Sequence, residues 1–258
     1  MLNVDDVSYT NHLGKTFSFG SETGVVLGAT ELFDYSWDFN AAKSVYSTSR
    51  KARKVPVQVI FLGTVPKSRD SFYETVDVDA IEAASGTLTV DGWSLRGLFT
   101  ASSRTEYRSD EGFMVRDMTF VAESDMWVRS ITTSFDASQT RAAIVNEGFI
   151  PSPVTIEALG PLADGFGVAI GECNYQVDDL SVPEGSRLVI NGLDKTIAVV
   201  DSDGNAQNAL GHRSGRQVKG SGYYSFEHIA PGYNEVTWHP TCGMYITVHE
   251  LRSEPRST

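Results

Sequence analysis

Along most of this chain the apolar positions fall two apart. Val, Thr, Tyr and Phe gather in short runs separated by glycine-containing turns, which is the period and punctuation of β-strands. One stretch departs from that period. From Ser68 to Ser85 (SRDSFYETVDVDAIEAAS) the spacing becomes helical, with Phe72, Val76 and Ala80 four apart and Ala83 continuing the face. Ser68 or Asp70 can cap its start, and Asp70 and Glu74 place negative charge where the helix dipole favours it. Gly86 is expected to be the left-handed residue that ends the helix. The next segment, GTLTVDGWSLRGLFT, reads as a hairpin, with Asp91-Gly92 at the two central positions of a type I′ turn. Leu88 and Val90 alternate on its first strand, and Trp93, Leu95 and Phe99 on its second. Further strands are expected at Val55–Leu62, Phe113–Val121 and Trp127–Phe135, the last with Trp127, Ile131 and Phe135 on one face.

The small, polar segment DASQTRAA after Phe135 marks the expected domain boundary, giving domains 1–136 and 137–258. Beyond Ala142 no helical period returns. VTIEALG, GVAIGEC, RLVING, TIAVVD, YYSFEHI, NEVTWH and GMYITVHEL are strand-like runs, separated by Gly-Pro, Pro-Glu-Gly, Asp-Gly-Asn and Pro-Gly-Tyr turn signals. About seven or eight strands at this spacing describe a β-sandwich. The expected fold is mainly β: an N-terminal sandwich or barrel-like domain with one helix and a hairpin, then a C-terminal sandwich.

Length and charge narrow the function classes. A chain of 258 residues fits roughly two domains. Its 21 basic against 33 acidic residues give a net charge of −12, which argues against nucleic acid and anionic membrane as partners. No run of roughly eighteen apolar residues occurs, so no membrane insertion by a spanning helix is expected. The opening MLNVDDVSYTNHLG has no basic leader followed by an apolar core, so no export signal is expected either. Cys173 and Cys242 are too few for a disulfide framework or a cysteine-rich zinc module.

The chemical inventory is thin. The chain lacks G-x-x-x-x-G-K-[ST], H-E-x-x-H and G-x-S-x-G, and it lacks G-x-G-x-x-G between a strand and a helix. His239 and Cys242 form an H-x-x-C pair with no second half, which a turn explains equally well. Asp201-Ser-Asp203-Gly204-Asn205 has the oxygen spacing of a calcium loop but no closing Glu, and a hairpin turn is the more economical reading. Asp178-Asp179 and Glu227-His228 are adjacent pairs, which on a strand point to opposite faces and do not converge on a substrate. No enzyme, no cofactor and no metal site is expected. Two surfaces remain. Arg50, Lys51, Arg53 and Lys54 form the basic patch, read as a solvated loop or one side of a subunit contact. Tyr223, Tyr224 and Trp238 are candidates for stacking on sugar, although in a sandwich such rings also fill the core.

The order of segments resembles a family. EAASGTLTVDGWSLRGLFTASSRTEY, with DMTFVAESDMWVRSITTSF after it and FDYSWDFN before it, is similar to the N-terminal domain of siphophage distal tail proteins. VNEGFIPSPVTIEALGP, GSRLVINGLDKTIAVVDSDGNAQNAL and FEHIAPGYNEVTW resemble the strand-turn-strand signals of that family's C-terminal domain. The resemblance implies a structural virion protein, assembled in the host cytoplasm, whose N-terminal domain forms a ring, usually of six subunits, at the end of the tail tube. It implies a galectin-like or carbohydrate-module-like C-terminal sandwich. Its partners would be further copies of itself, the tail tube protein, and tail-tip, baseplate or receptor-binding proteins. In such a ring Arg50–Lys54 would face Asp77, Asp79 and Glu82 of a neighbour. A different class, a carbohydrate-binding module that attaches the phage to host cell-wall glycan, is the alternative. GNAQNALGHRSGRQVKGSGYYSF is longer than the family pattern, and partner choice is expected to differ there.

Overall fold

The computed structural model describes residues 6–31, 37–42, 45–50, 53–63, 66–108 and 112–254. The first four residues of FDYSWDFN, and Lys51 of the basic patch, lie outside them. Among the described residues no helix is long and apolar enough to cross a membrane. The chain divides into two compact units, Met1–Val128 with Arg252–Thr258, and Arg129–Leu251. The division precedes the expected one at residue 136. There the polar segment is a turn within the second unit, with Asp136 Oδ1 accepting the Ser138 amide at 2.8 Å. A turn and a linker share one composition.

The first unit contains β1 (Val7–Thr10), β2 (Thr16–Phe19), β3 (Val25–Thr30), β4 (Trp37–Ala42), β5 (Val45–Arg50), β6 (Lys54–Phe61), α1 (Pro66–Glu82), β7 (Gly86–Val90), β8 (Trp93–Arg108) and β9 (Phe113–Ala122), and the start of β10 (Trp127–Phe135). All the pairings are antiparallel, and the strands follow the order β2-β1-β7-β8-β9-β6-β3. A bridge between Gly20 and Val25 brings the two ends together, so the sheet curls on itself. Alternation explains the core. Val55, Val57, Val59 and Phe61 on β6 are buried, as are Leu88 and Val90 on β7 and Trp93, Leu95 and Phe99 on β8. On the other face of β6, Lys54 and Pro56 are exposed and Gln58 and Ile60 half-buried. The hairpin turns as expected, with φ of +49° at Asp91 and +77° at Gly92.

α1 closes this core. Phe72 lies edge-on to Phe17 and Phe61, with ring centres 5.4 and 5.7 Å away. The buried face is Phe72, Thr75, Val76 and Asp79, while the expected Ala80 is exposed. The helix ends earlier than expected, at Glu82, and Ala83 with φ +51° takes the left-handed position assigned to Gly86. Gly86 instead opens β7.

The second unit is a sandwich. One sheet orders β17 (Ala206–Asn208), β16 (Thr196–Val200), β15 (Arg187–Asn191), β12 (Val154–Leu159) and β19 (Met244–Arg252). The other orders β11 (Arg141–Asn146), β18 (Gly232–His239), β13 (Gly165–Ile170) and β14 (Cys173–Asp178). Between them are buried Ile156, Leu188, Ile190 and Ile246 from one sheet and Val168, Ile170, Tyr175 and Trp238 from the other. YYSFEHI is not a strand. Phe226 and Ile229 are buried anchors, and only Ile229 makes a bridge, to Ser152. Gly232 has φ +89°, as a Pro-Gly turn requires.

Candidate functional site

Among the described residues no three His, Cys, Asp or Glu side chains are placed to hold a metal. The built polar features are two clusters and a loop.

In the first unit the cluster centres on Asp79. Its position seven residues after Phe72 puts it on the buried face of α1, completely out of solvent. Burying a carboxylate requires partners. Tyr9 Oη donates to Oδ2 at 2.5 Å, and the His12 amide donates to Oδ1 at 3.0 Å. The His12 ring donates Nδ1–H to Asp79 Oδ1 at 2.5 Å and Nε2–H to Glu82 Oε2 at 2.9 Å. The hydrogen bond to Asp79, with Glu82 beyond it, raises the histidine above its ordinary value, while burial and Asp79 raise the Tyr9 phenol. The cluster pins the turn after β1 to α1. It also explains Gly86: a Cβ there would lie 2.5 Å from Tyr9 Oη and 2.6 Å from the Thr10 carbonyl.

The surface expected for a subunit contact is therefore reduced. Asp79 is an internal anchor, whereas Asp77 and Glu82 are exposed on α1. Arg53 is buried. Its Nη1 donates to the Ser253 carbonyl at 3.3 Å, its Nη2 lies 3.5 Å from that of Glu31, and its guanidinium lies 6.0 Å from the Trp127 ring centre. Lys54 is exposed; the side chain of Arg50 is not among those described. A buried arginine tying backbone segments together looks, in a sequence, like any member of a basic run.

In the second unit the expected aromatic platform comes apart. Trp238 is 4 % exposed, and its Nε1–H donates to the Cys242 carbonyl at 3.3 Å. Tyr224 is half-buried edge-on to Phe226, which leaves Tyr223 as the exposed ring of the three. Cys173 and Cys242 are both buried free thiols, each pushed up by burial. Asp201 turns the β16–β17 hairpin, its Oδ1 accepting the Asp203 and Asn205 amides at 2.9 and 2.8 Å. These bonds and the Asn205 side chain hold its carboxyl below the usual range. Its oxygens serve the turn. Glu227 is also buried, and its Oε1 accepts the amides of Gly220 and Gly222, so it organises the long loop before it.

His249 on β19 is the second cluster. Its Nδ1 faces Ser130 Oγ and its Nε2 faces Thr155 Oγ1, each at 2.8 Å. Burial pushes it down to about 4, against a weaker opposing pull from Asp194. Neither Asp79 nor His249 stands out by residue type. The helical period through Phe72 locates Asp79, whereas strand alternation through Ile246 and Val248 puts His249 on the opposite face and gives no sign of its burial.

The fold of this chain, two β-rich units with one helix in the first, is similar to that of solved phage proteins. The solved structures it resembles include the SPP1 Dit protein, described as a paradigm of the hub adsorption apparatus in phages infecting Gram-positive bacteria. The likeness has a TM-score of 0.60 at 10% identity and covers 95% of this chain and 99% of that one. Chains of the phage P2 baseplate in its activated conformation, with Ca and with Sr, each match at a TM-score of 0.63 and 10% identity, over 97% of this chain and 99% of theirs. No family model matches the chain, and no curated protein matches it in sequence.

Proposed function

We propose that this chain is a structural component of a phage tail, a non-enzymatic hub that forms a ring at the distal end of the tube. The observation that carries this reading is the extent of the fold likeness. It runs through both units in order, over nearly the full length of each chain. A likeness limited to the sandwich would not indicate function, because sandwiches host many.

The first unit offers a physical route to a ring. β8 pairs with β7 only through Gly97, and from Leu98 to Arg108 it pairs with β9 alone among the described strands. From Thr100 to Arg108 its side chains are exposed on both faces. β3, at one end of the sheet, pairs among the described strands with β6 alone apart from the single bridge at Val25. Two edges with no partner strand among the described residues permit head-to-tail strand pairing between copies, and such a heterologous contact closes into a ring when the rotation allows. Six copies, the tail tube protein on one side and tail-tip or baseplate proteins on the other make up the proposed assembly.

Immunogold labelling of this protein on purified virions tests the reading. Label confined to the distal tip is expected; label along the tube or on the capsid overturns it.

A further inference from the structure

Two faces of this chain are complementary to each other and unoccupied. The first is the outward side of α1. Tyr73, Val78 and Ile81 lie along a hollow of about 570 Å³ edged by Asp70, Glu74, Asp77 and Glu82. Ile81 is 82 % exposed, and Leu13, on the turn that His12 pins to this helix, is 68 % exposed. The Tyr73 hydroxyl has no hydrogen-bond partner among the described residues. Glu74 is paired with Lys15 at 2.8 Å, Glu82 with His12, and Asp70 with Arg69 at 3.5 Å. Asp77 makes no ion pair among the described residues. The face is an apolar stripe in an acidic frame.

The second face is the loop from Arg213 to Tyr223. Between Asp203 and Glu227 this acidic chain contains no carboxylate side chain at all. Arg213, Arg216 and Lys219 are exposed there, and none has an ion pair among the described residues. Val218 and Tyr223, 53 % and 50 % exposed, stand among them. The loop is folded in advance. Gln217 Nε2 donates to the carbonyls of Ser214 and Tyr223 at 2.6 and 3.2 Å, and its Oε1 accepts from the amide and hydroxyl of Ser225. Ser221 Oγ donates to the Arg216 carbonyl at 2.8 Å, and the buried Glu227 holds the amides of Gly220 and Gly222. A loop ordered before docking loses little entropy on docking.

We propose that the Arg213–Tyr223 loop of one copy docks on the outward face of α1 of the next copy. Val218 and Tyr223 cover Ile81 and Val78, and the three cations face Asp77 and the carboxylates beside it. Charge complementarity selects the occupant. The acidic face needs a cationic apolar partner, and in the Arg50–Lys54 stretch first expected to supply one, Arg53 is buried. Exposed ion pairs contribute roughly 0–1 kcal/mol each, so they set register while the apolar contact holds the copies together. The proposal rests on the ring-forming reading and adds a second contact to it.

Cysteine cross-linking of the full chain tests it. Ile81→Cys protein is mixed with Val218→Cys protein and treated with a short bis-maleimide; the native thiols are buried. A cross-linked pair is expected, formed at least tenfold less when the Val218→Cys copy also carries Arg213→Glu, Arg216→Glu and Lys219→Glu. Adding Glu74→Lys and Asp77→Lys to the Ile81→Cys copy should restore it. Unchanged melting curves show that each variant is folded. No cross-link at any concentration, or one indifferent to charge reversal, overturns the proposal. Label at the tail tip without a charge-sensitive cross-link would overturn it while leaving the tail-tip reading intact. A charge-sensitive cross-link with no label at the tail tip would do the reverse.

Discussion

Each unit buries a polar group against a histidine, and the two arrangements favour opposite charge states. His12 lies between two carboxylates, donates from both ring nitrogens, and is raised. His249 lies between two hydroxyls, which accept or donate equally well, and burial pushes it down to about 4. Partner chemistry, and not residue type, decides which form is held. The first unit therefore favours the charged form of its histidine and the second the neutral form.

The largest expected break in this symmetry is Asp79→Leu. It leaves the buried Tyr9 hydroxyl and the His12 amide without their acceptor, at a cost of about 1–3 kcal/mol each. Hydrogen exchange should show lost protection across β1, the turn after it and α1, with the sandwich unchanged. Protection kept in α1 would mean that Asp79 is not an anchor.

Acidification should strike the other unit. His249 has a depressed value in the folded chain, so its contribution is fully present above the ordinary 6.5 and is lost as pH falls from there toward about 4. The difference corresponds to roughly 3 kcal/mol. His249→Gln should flatten the pH dependence of sandwich stability in that window. A slope as steep as in the unaltered protein would remove the histidine as its cause.

Next in size is Gly92→Val, which forces a β-branched residue to positive φ in the first unit at a cost of about 1–3 kcal/mol. Denaturant unfolding followed by tryptophan fluorescence would register it, and an unchanged midpoint would contradict the strain.

The smallest effect sharpens the contrast. His12 is raised, so its contribution is complete below 6.5 and is lost as pH rises through its folded value. Exchange in the turn after β1 should quicken with alkalinity beyond its intrinsic rate, and His12→Asn should abolish the excess. The two units then respond to pH with opposite signs.

Alternation and turn chemistry made much of this legible. Trp127–Phe135 has the bounds expected of it, and Asp91-Gly92 turns where it should. The failures share a cause. Asp79, Glu227 and Arg53 hold interior positions that apolar periodicity skips, because a sequence does not show which charge has found a partner. Four-residue spacing from Phe72 and Val76 carries the expected face to Ala80 where the buried position is Asp79, and strand alternation alone leaves open which of Tyr223, Tyr224 and Trp238 faces the core. The α1 stripe was missed because Ile81 is separated from Phe72 by the width of the helix, and a lone exposed isoleucine has no period.

The return of the chain has a further consequence. After the sandwich ends at Leu251, Arg252 lies 4.8 Å above the Trp93 ring and Ser253 accepts from Arg53, both within the first unit. In the grammar of the chain the sandwich is a parenthesis, opened after Val128 and closed at Arg252. Exchange of this module between genomes requires two crossovers, since one alone would replace the sandwich and carry off the closing residues with it. A fragment cut at residue 136 is likewise an unclosed sentence, and residues 252–258 supplied as a separate peptide would be its natural complement.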